Sequence, residues 1–129
     1  MILCIKTDTP VAEVYGYDGS REVARRVWTA HRTLARDLLK ICAEVANDAG
    51  VSLSTLEGVV VFRGPGSFTG LRIGCMVADV IAYSEGVPIV GVSGDGWIAS
   101  GCARLGQGED DDAVLPEYGM PPRVTPPKK

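Results

Sequence analysis

The feature that most restricts the fold of this chain is a short apolar run that leads directly into a glycine-rich loop. Residues 58–62 are rich in β-branched and aromatic side chains, which predicts a buried strand. Residues 63–70 form the loop, and residues 71–84 have the pattern of a helix that ends near Gly86. A strand that is apolar on both faces needs helices packed on its sheet. The sequence therefore predicts an α/β protein.

The rest of the chain extends this pattern to a complete sheet. The predicted strands span residues 2–5, 11–17, 21–29, 58–62 and 88–92. An Asp-Gly pair at positions 18–19 predicts a hairpin between the second and third strands, because both turn residues must tolerate positive φ. Apolar residues recur every three or four positions over residues 30–49, which predicts the first helix. We expect a mixed five-stranded sheet with the order β-β-β-α-β-α-β, followed by a short helix within residues 93–103.

Length and composition indicate one domain followed by a tail. A chain of 129 residues suits a single domain, and we assign residues 1–105 to it as one lobe. Residues 106–129 begin with an acidic run and contain five prolines. Proline lacks the backbone donor that helix and sheet interiors use. This composition predicts a Pro-rich tail that is extended or flexible.

Charge and cysteine content argue against several classes of protein. A formal net charge of -3 disfavours a protein that holds nucleic acid by charge alone. The sequence has neither an apolar stretch of membrane-spanning length nor a secretory leader pattern, which predicts a cytoplasmic protein without membrane contact. The four cysteines are far apart and form no C-x-x-C pair. They predict buried free thiols in a reducing compartment rather than a metal site.

The glycine-rich loop supports two interpretations. Backbone amides, hydroxyl groups and flanking guanidinium groups could together bind an anion such as phosphate, and the residues concerned are Arg63, Gly64, Gly66, Ser67, Thr69 and Arg72. Alternatively, the glycines only form a tight strand-to-helix turn, with Ser67 or Thr69 as the N-cap. No Lys follows the last glycine, and Thr69 occupies the third glycine position of the dinucleotide-binding pattern. Spacing alone therefore favours the structural interpretation.

The second predicted helix carries a row of small residues. Gly70, Gly74, Ala78 and Ala82 recur every four positions, so one helix face has almost no side-chain bulk. Another backbone can approach such a face closely. The row is consistent with packing on the chain's own sheet or first helix and also with docking of another chain, and periodicity does not separate these two possibilities.

Residue patterns associated with catalysis are scarce. His31 is the only histidine, so a paired-histidine metal site is excluded. No G-x-S-x-G elbow is present, which argues against a hydrolase serine. The acidic run at residues 109–112 is more typical of a solvated tail than of a cation site. The residues therefore predict no catalytic site, no metal site and no cofactor.

Residues 63–74 resemble the signature of the bacterial TsaB (YeaZ) family, which acts in making threonylcarbamoyladenosine at position 37 of tRNA. The similarity continues through residues 86–93, and more weakly through the opening strand and the region from His31 to Leu39. This resemblance implies one lobe of the actin-like ATPase (ribonuclease H-like) fold. It also implies a non-catalytic subunit that docks a TsaD-like catalytic subunit through its helices. A TsaE-like ATPase would join the same assembly, and tRNA would be contacted only indirectly.

Two features depart from the family pattern. Lys6 stands where the family usually has an Asp, and Asp8 stands where it has a Ser, which disfavours the use of ATP. The second lobe of ordinary members does not follow residue 93, whereas residues 115–126 resemble the family's C-terminal end. We interpret the sequence as an internally shortened member.

The sequence thus predicts an adapter that docks a TsaD-like partner. The positions expected to face the partner lie on the exposed side of the first helix and on the small-residue row: Leu34, Leu38, Ile41, Gly70, Gly74, Ala78 and Ala82. Two alternatives remain open. One is a nucleotide-dependent phosphotransferase or ATPase that uses the glycine loop and Asp8, and the other is a stand-alone homodimer with a structural or regulatory role.

Overall fold

A computed structural model describes residues 1–30 and 32–118 of the chain as one sheet covered by helices. The strands are β1 (Ile2–Lys6), β2 (Val11–Asp18), β3 (Arg21–Thr29), β4 (Gly58–Phe62) and β5 (Ile89–Val92). The helices are α1 (Leu34–Asp48), α2 (Phe68–Glu85) and α3 (Trp97–Gly106), with one 3₁₀ turn at Leu53–Thr55. The predicted element order is confirmed, and α3 follows it as the short third helix. His31 and residues 119–129 lie outside the described part of the chain.

The sheet is mixed, as predicted. Its strand order is β3-β2-β1-β4-β5. The first three strands pair antiparallel, whereas β4 pairs parallel with both β1 and β5. The parallel pairs are connected by the α1 and α2 crossovers, because parallel strands require a long connection.

The two faces of the sheet carry separate cores. Along β1, Leu3 and Ile5 point into the core beneath α1 and α2, while Cys4 points to the opposite face, beneath α3. This follows from the alternation of side chains along a strand. All five residues of β4 are buried because helices cover both of its faces. Within the described residues, no helix combines the length and the apolar character that crossing a bilayer demands.

Residues 107–118 pack against β5, α2 and the loop after β4, which corrects the prediction of a flexible tail for this segment. The Asp111 amide donates to the Ile89 carbonyl oxygen at 2.7 Å, and the Gly91 amide donates to the Asp111 carboxylate at 2.8 Å. Val114 is buried. The segment therefore satisfies backbone groups of the outermost strand β5. The tail was predicted from composition alone. Its remaining residues, 119–129, lie outside the described part of the chain.

Arg104 on α3 ties the acidic run to the sheet. Its guanidinium donates to the Glu109 carboxylate at 2.7 Å, to the Asp111 carboxylate, and to the Gly91 carbonyl oxygen at 3.0 Å. Burial raises the pKa of Asp111, but hydrogen bonds from Arg104 and from the Gly91 amide outweigh burial and hold that pKa below its ordinary value. At pH values above the ordinary Asp pKa, ionised Asp111 thus stabilises the packed segment. This stabilisation is lost as the pH falls through the lowered pKa that Asp111 has in the folded protein.

We expect Arg104→Gln to release residues 109–114 from β5. Two charge-assisted hydrogen bonds and one bond to a carbonyl disappear, so amide exchange at Gly91 and Asp111 should accelerate by at least about tenfold. Hydrogen exchange followed by mass spectrometry measures this, with Arg72→Gln on the exposed side of α2 as the matched control. Unchanged exchange in Arg104→Gln would show that the segment is held by other contacts.

Candidate functional site

The glycine-rich loop is packed tightly by parts of the same chain. Gly64 has φ of +129°, and a Cβ atom there would overlap the carbonyl oxygen of Glu117. A Cβ atom on Gly66 would lie 2.5 Å from the Cβ atom of Asp8. Both glycines are therefore required by close approach of neighbouring backbone, since any side chain would collide.

Hydrogen bonds fix the loop to the turn after β1 and to the C-terminal segment. The Ser67 amide donates to the Asp8 carbonyl oxygen at 3.0 Å. Arg63 Nε donates to the Leu115 carbonyl oxygen at 3.1 Å, and the Arg63 carbonyl oxygen accepts from the Glu117 amide at 2.7 Å. The loop is thus held between two other segments, and the rings of Phe68 and Tyr118 pack with their centroids 4.0 Å apart beside it.

The structure brings only part of the predicted anion site together. The Arg63 guanidinium and the Ser67 amide bond to other parts of the chain, while Thr69 and Arg72 are exposed at the start of α2. Ser67 is the N-cap, as one interpretation of the sequence expected, but its side chain makes no capping hydrogen bond. The close packing around Gly64 and Gly66 supports the structural interpretation of the loop. Anion binding by these residues stays a prediction.

The small-residue row faces the chain itself. A Cβ atom on Gly70 would overlap the Thr7 carbonyl oxygen, and one on Gly74 would overlap Thr7 Oγ1. Thr7 is buried, and its hydroxyl donates to the Gly70 carbonyl oxygen at 2.7 Å. Ala78 and Ala82 belong to the core beneath the sheet. The prediction that this row faces a partner is therefore wrong, because close packing of α2 on the turn after β1 uses the small residues.

The predicted docking positions on α1 are also wrong. Leu34 and Leu38 are buried in the core, and Ile41 is partly buried against it. The apolar stripe of an amphipathic helix turns towards the sheet. The periodicity that identified the helix thus marked its inner face and not an exposed one.

A different set of apolar residues is exposed on the two helices. We define the α1–α2 face by Leu39, Met76, Val80 and Tyr83, whose exposed fractions are 45%, 55%, 54% and 91%. The three α2 residues are spaced by four and three positions, so they share one side of the helix. Exposed apolar residues grouped in this way mark interaction sites more often than scattered ones do. A sign of this face was present in the sequence, because α2 is apolar around most of its circumference. Its small residues form one stripe and its large apolar residues form another.

A groove of about 470 Å³ lies between the two helices at this face. Its lining combines apolar side chains with charged ones, namely Arg36, Leu39, Lys40, Ala43, Leu53, Val80, Ile81, Ser84 and Glu85. Apolar centres flanked by charged and polar groups are typical of protein–protein interfaces.

The carboxylate required by the phosphotransferase alternative is engaged with a lysine. Lys6 Nζ lies 2.6 Å from Asp8 Oδ1 and 3.9 Å from Glu13 Oε2, and it stands 4.7 Å from the centre of the Phe62 ring. In the part of the chain that the structure describes, no three His, Cys, Asp or Glu side chains are grouped as metal ligands would be.

Comparison with known proteins gives consistent matches. Residues 28–110 match the family described as "TsaD: tRNA N6-adenosine threonylcarbamoyltransferase". The tRNA threonylcarbamoyladenosine biosynthesis protein TsaB of Haemophilus influenzae is 31% identical over 86 residues, which are 67% of this chain and 36% of that protein. The tRNA N6-adenosine threonylcarbamoyltransferase of Syntrophus aciditrophicus is 36% identical over 63 residues, which are 49% of this chain and 19% of that protein.

A solved structure agrees with these sequence matches. YeaZ from Pseudomonas aeruginosa superimposes with a TM-score of 0.67 at 30% identity, covering 83% of this chain and 49% of that chain. The chain spans about a third of the length of the TsaB relative and about half of the YeaZ structure. Because the family match covers most of the chain, and because a TsaB relative and the YeaZ structure agree with it in sequence and fold, the chain belongs to the TsaB (YeaZ) family and shares the α/β fold of YeaZ.

Proposed function

We propose that the chain acts in tRNA threonylcarbamoyladenosine biosynthesis as a non-catalytic adapter that docks a TsaD-like catalytic subunit through its α1–α2 face. Family membership supports a role of this chain in the pathway. The exposed apolar residues of the α1–α2 face support the docking part of the proposal. This face replaces the buried residues that the sequence pattern suggested.

The energetics favour burial of this face. Val80 and Met76 are each more than half exposed, and Tyr83 is almost wholly exposed. Covering large apolar side chains releases about 25 cal/mol per Å² of apolar surface removed from water. Tyr is also over-represented among residues that dominate binding energy. An interface of roughly 1,600 Å² centred on this face would be of ordinary size for a specific pair.

The choice of partner rests on relatedness between the two chains. This chain aligns with TsaD-named proteins as well as with TsaB-named ones. A TsaD-like protein would therefore carry an equivalent pair of helices. Two related chains can pack the same pair of helices against each other in a near-symmetric arrangement, as the subunits of two-fold dimers do.

The rest of the assembly follows from the same proposal. The formal net charge of -3 leaves tRNA contact to the partner. The bond between Lys6 and Asp8 occupies the carboxylate that a metal-bound nucleotide would need here. A TsaE-like ATPase would supply nucleotide hydrolysis from outside this chain.

Side-chain oxidation in the complex tests the proposal. The chain is mixed with the TsaD-like protein of the same organism, and the mixed species is exposed to hydroxyl radicals and analysed by peptide mass spectrometry. We expect Met76 and Tyr83 to lose most of their reactivity, because the partner covers them. Trp28, which is partly exposed on β3, should keep its reactivity and serves as the internal control.

Three outcomes would contradict the proposal. The first is that no mixed species forms, and the second is that Met76 and Tyr83 stay fully reactive in a mixed species. The third is a homodimer that protects the same residues and ignores the TsaD-like protein, which would favour the stand-alone alternative.

A further inference from the structure

The outer edge of β5 is closed by hydrogen bonds from a segment that is not a strand. The Ile89 amide donates to the Asp110 carboxylate at 3.2 Å, and the Ile89 carbonyl oxygen accepts from the Asp111 amide at 2.7 Å. The Gly91 amide donates to the Asp111 carboxylate at 2.8 Å, and the Gly91 carbonyl oxygen accepts from Arg104 at 3.0 Å. These four backbone groups point away from β4, and a neighbouring strand would use the same four groups.

The acidic segment, residues 109–114, fits closely against this edge. A Cβ atom on Gly91 would lie 2.6 Å from Val114 Cγ1, so the contact needs glycine in the strand. Glycine weakens a strand interior and often marks a place where another part of the chain approaches closely. The Val114 amide also donates to the Asp79 carboxylate on α2 at 2.9 Å. Contacts with β5 and with α2 therefore position the segment together.

Without this cover, β5 would present an edge that suits the β5 strand of a second copy. Two antiparallel β5 strands with a two-fold axis at Val90 would place Ile89 of each copy opposite Gly91 of the other. That register satisfies the same four backbone groups in both copies, and the arrangement closes at two molecules. The β5 sequence has no charged residue, whereas β3 at the other edge of the sheet has four, and charged residues disfavour edge pairing.

We propose that the acidic segment is an autoinhibitory contact that prevents the β5 strand of one copy from pairing with the β5 strand of another. Because the segment already satisfies the outward-facing groups of β5, a second copy gains no hydrogen bonds there unless the segment moves away. The segment also brings four carboxylates to this edge for the single guanidinium of Arg104. Two approaching copies would therefore repel each other. This inference does not depend on docking through the α1–α2 face.

The test compares two double variants of the full chain that lose the same number of negative charges. Asp110→Ala with Asp111→Ala removes both carboxylates that bond to β5. Glu109→Gln with Asp112→Asn is the matched control, because the Glu109 carboxylate bonds to Arg104 and the Asp112 carboxylate belongs to the same acidic run. Hydrogen exchange measured by NMR reports on the amides of residues 89 and 91. Light scattering after size exclusion, over a series of protein concentrations, gives the mass.

The variant that lacks Asp110 and Asp111 should show a released edge when dilute and a paired edge when concentrated. In dilute solution, we expect the Ile89 and Gly91 amides to exchange at least about tenfold faster than in the wild type, because they have lost their acceptors. In concentrated solution, the mass should reach twice that of the wild type, and both amides should be protected again. Adding Val80→Lys should leave this association intact. The control should behave as the wild type does.

Arg104→Gln provides a second variant in case the first does not fold, since it leaves both aspartates in place. It should show the same association at higher protein concentration. A released edge that stays at the wild-type mass at every concentration would overturn the inference. So would unchanged exchange in the first variant, or association of the control as strong as that of the first variant. The wild type alone gives a further test, because protection of Ile89 and Gly91 that rises with protein concentration would show that β5 pairs between copies with the segment in place.

Discussion

Replacing Gly74 by Leu should destabilise the protein by about 3 kcal/mol or more and can prevent folding altogether. Even the first side-chain atom would overlap Thr7 Oγ1, and the rest of the side chain would have to enter the space between α2 and the turn after β1. Thr7 would then lose its hydrogen bond to the Gly70 carbonyl oxygen while remaining buried. Urea unfolding followed by circular dichroism measures the loss.

Gly106→Ala is the control for this prediction. Nothing lies within 4 Å of the position that its Cβ atom would take, and Gly106 is the last residue of α3. Alanine is the better helix former, so the free energy of unfolding should stay equal or rise by up to about 1 kcal/mol. A Gly74→Leu protein as stable as the wild type would show that α2 does not pack on Thr7. A loss of partner binding in Gly74→Leu is therefore expected from unfolding and does not locate an interface.

Replacing Val80 by Lys should weaken binding of the TsaD-like protein by at least about tenfold, which corresponds to about 1.4 kcal/mol. Val80 lies centrally on the α1–α2 face and lines the groove between the helices. A lysine ammonium there would have to lose its water when the partner covers it. The fold should be unaffected within about 0.5 kcal/mol, because Val80 is exposed and lysine is a good helix former.

The strands and the mixed character of the sheet were predicted well from the sequence, because both depend on local residue patterns. The apolar run at β4 had the predicted bounds. The hairpin between β2 and β3 also forms, but its two turn residues are Gly19 and Ser20 instead of the predicted Asp-Gly pair, and only Gly19 has a positive φ. Helix starts were less accurate. The first helix was expected from residue 30, but the Ala30 amide donates to the Pro10 carbonyl oxygen at 2.8 Å and so extends the β2–β3 ladder, and α1 begins at Leu34.

The candidate site was harder to predict, since it depends on which helix face turns inward. In α2 the small residues and the large apolar residues form two stripes, and periodicity gives no reason to prefer either. Thr7 determines that the small-residue stripe faces inward, because its backbone and its hydroxyl group leave room only for glycine at positions 70 and 74. The packed segment after α3 was missed for a similar reason. Its composition is that of a solvated tail, and the contact that holds it comes from Arg104, which is outside the acidic run.

The most direct test of the docking proposal is a calorimetric titration of the TsaD-like protein with three forms of this chain: wild type, Val80→Lys and Val27→Lys. Val27 is the matched control, because it is a valine of similar exposure on β3. Its neighbour Trp28 packs on the core beneath α1 and α2, so the side chain of Val27 points to the opposite face of the sheet. If the partner docks on the α1–α2 face, the wild type and Val27→Lys bind with the same dissociation constant and Val80→Lys binds at least about tenfold more weakly. Equal affinity for all three forms, or a loss confined to Val27→Lys, would contradict docking through the α1–α2 face.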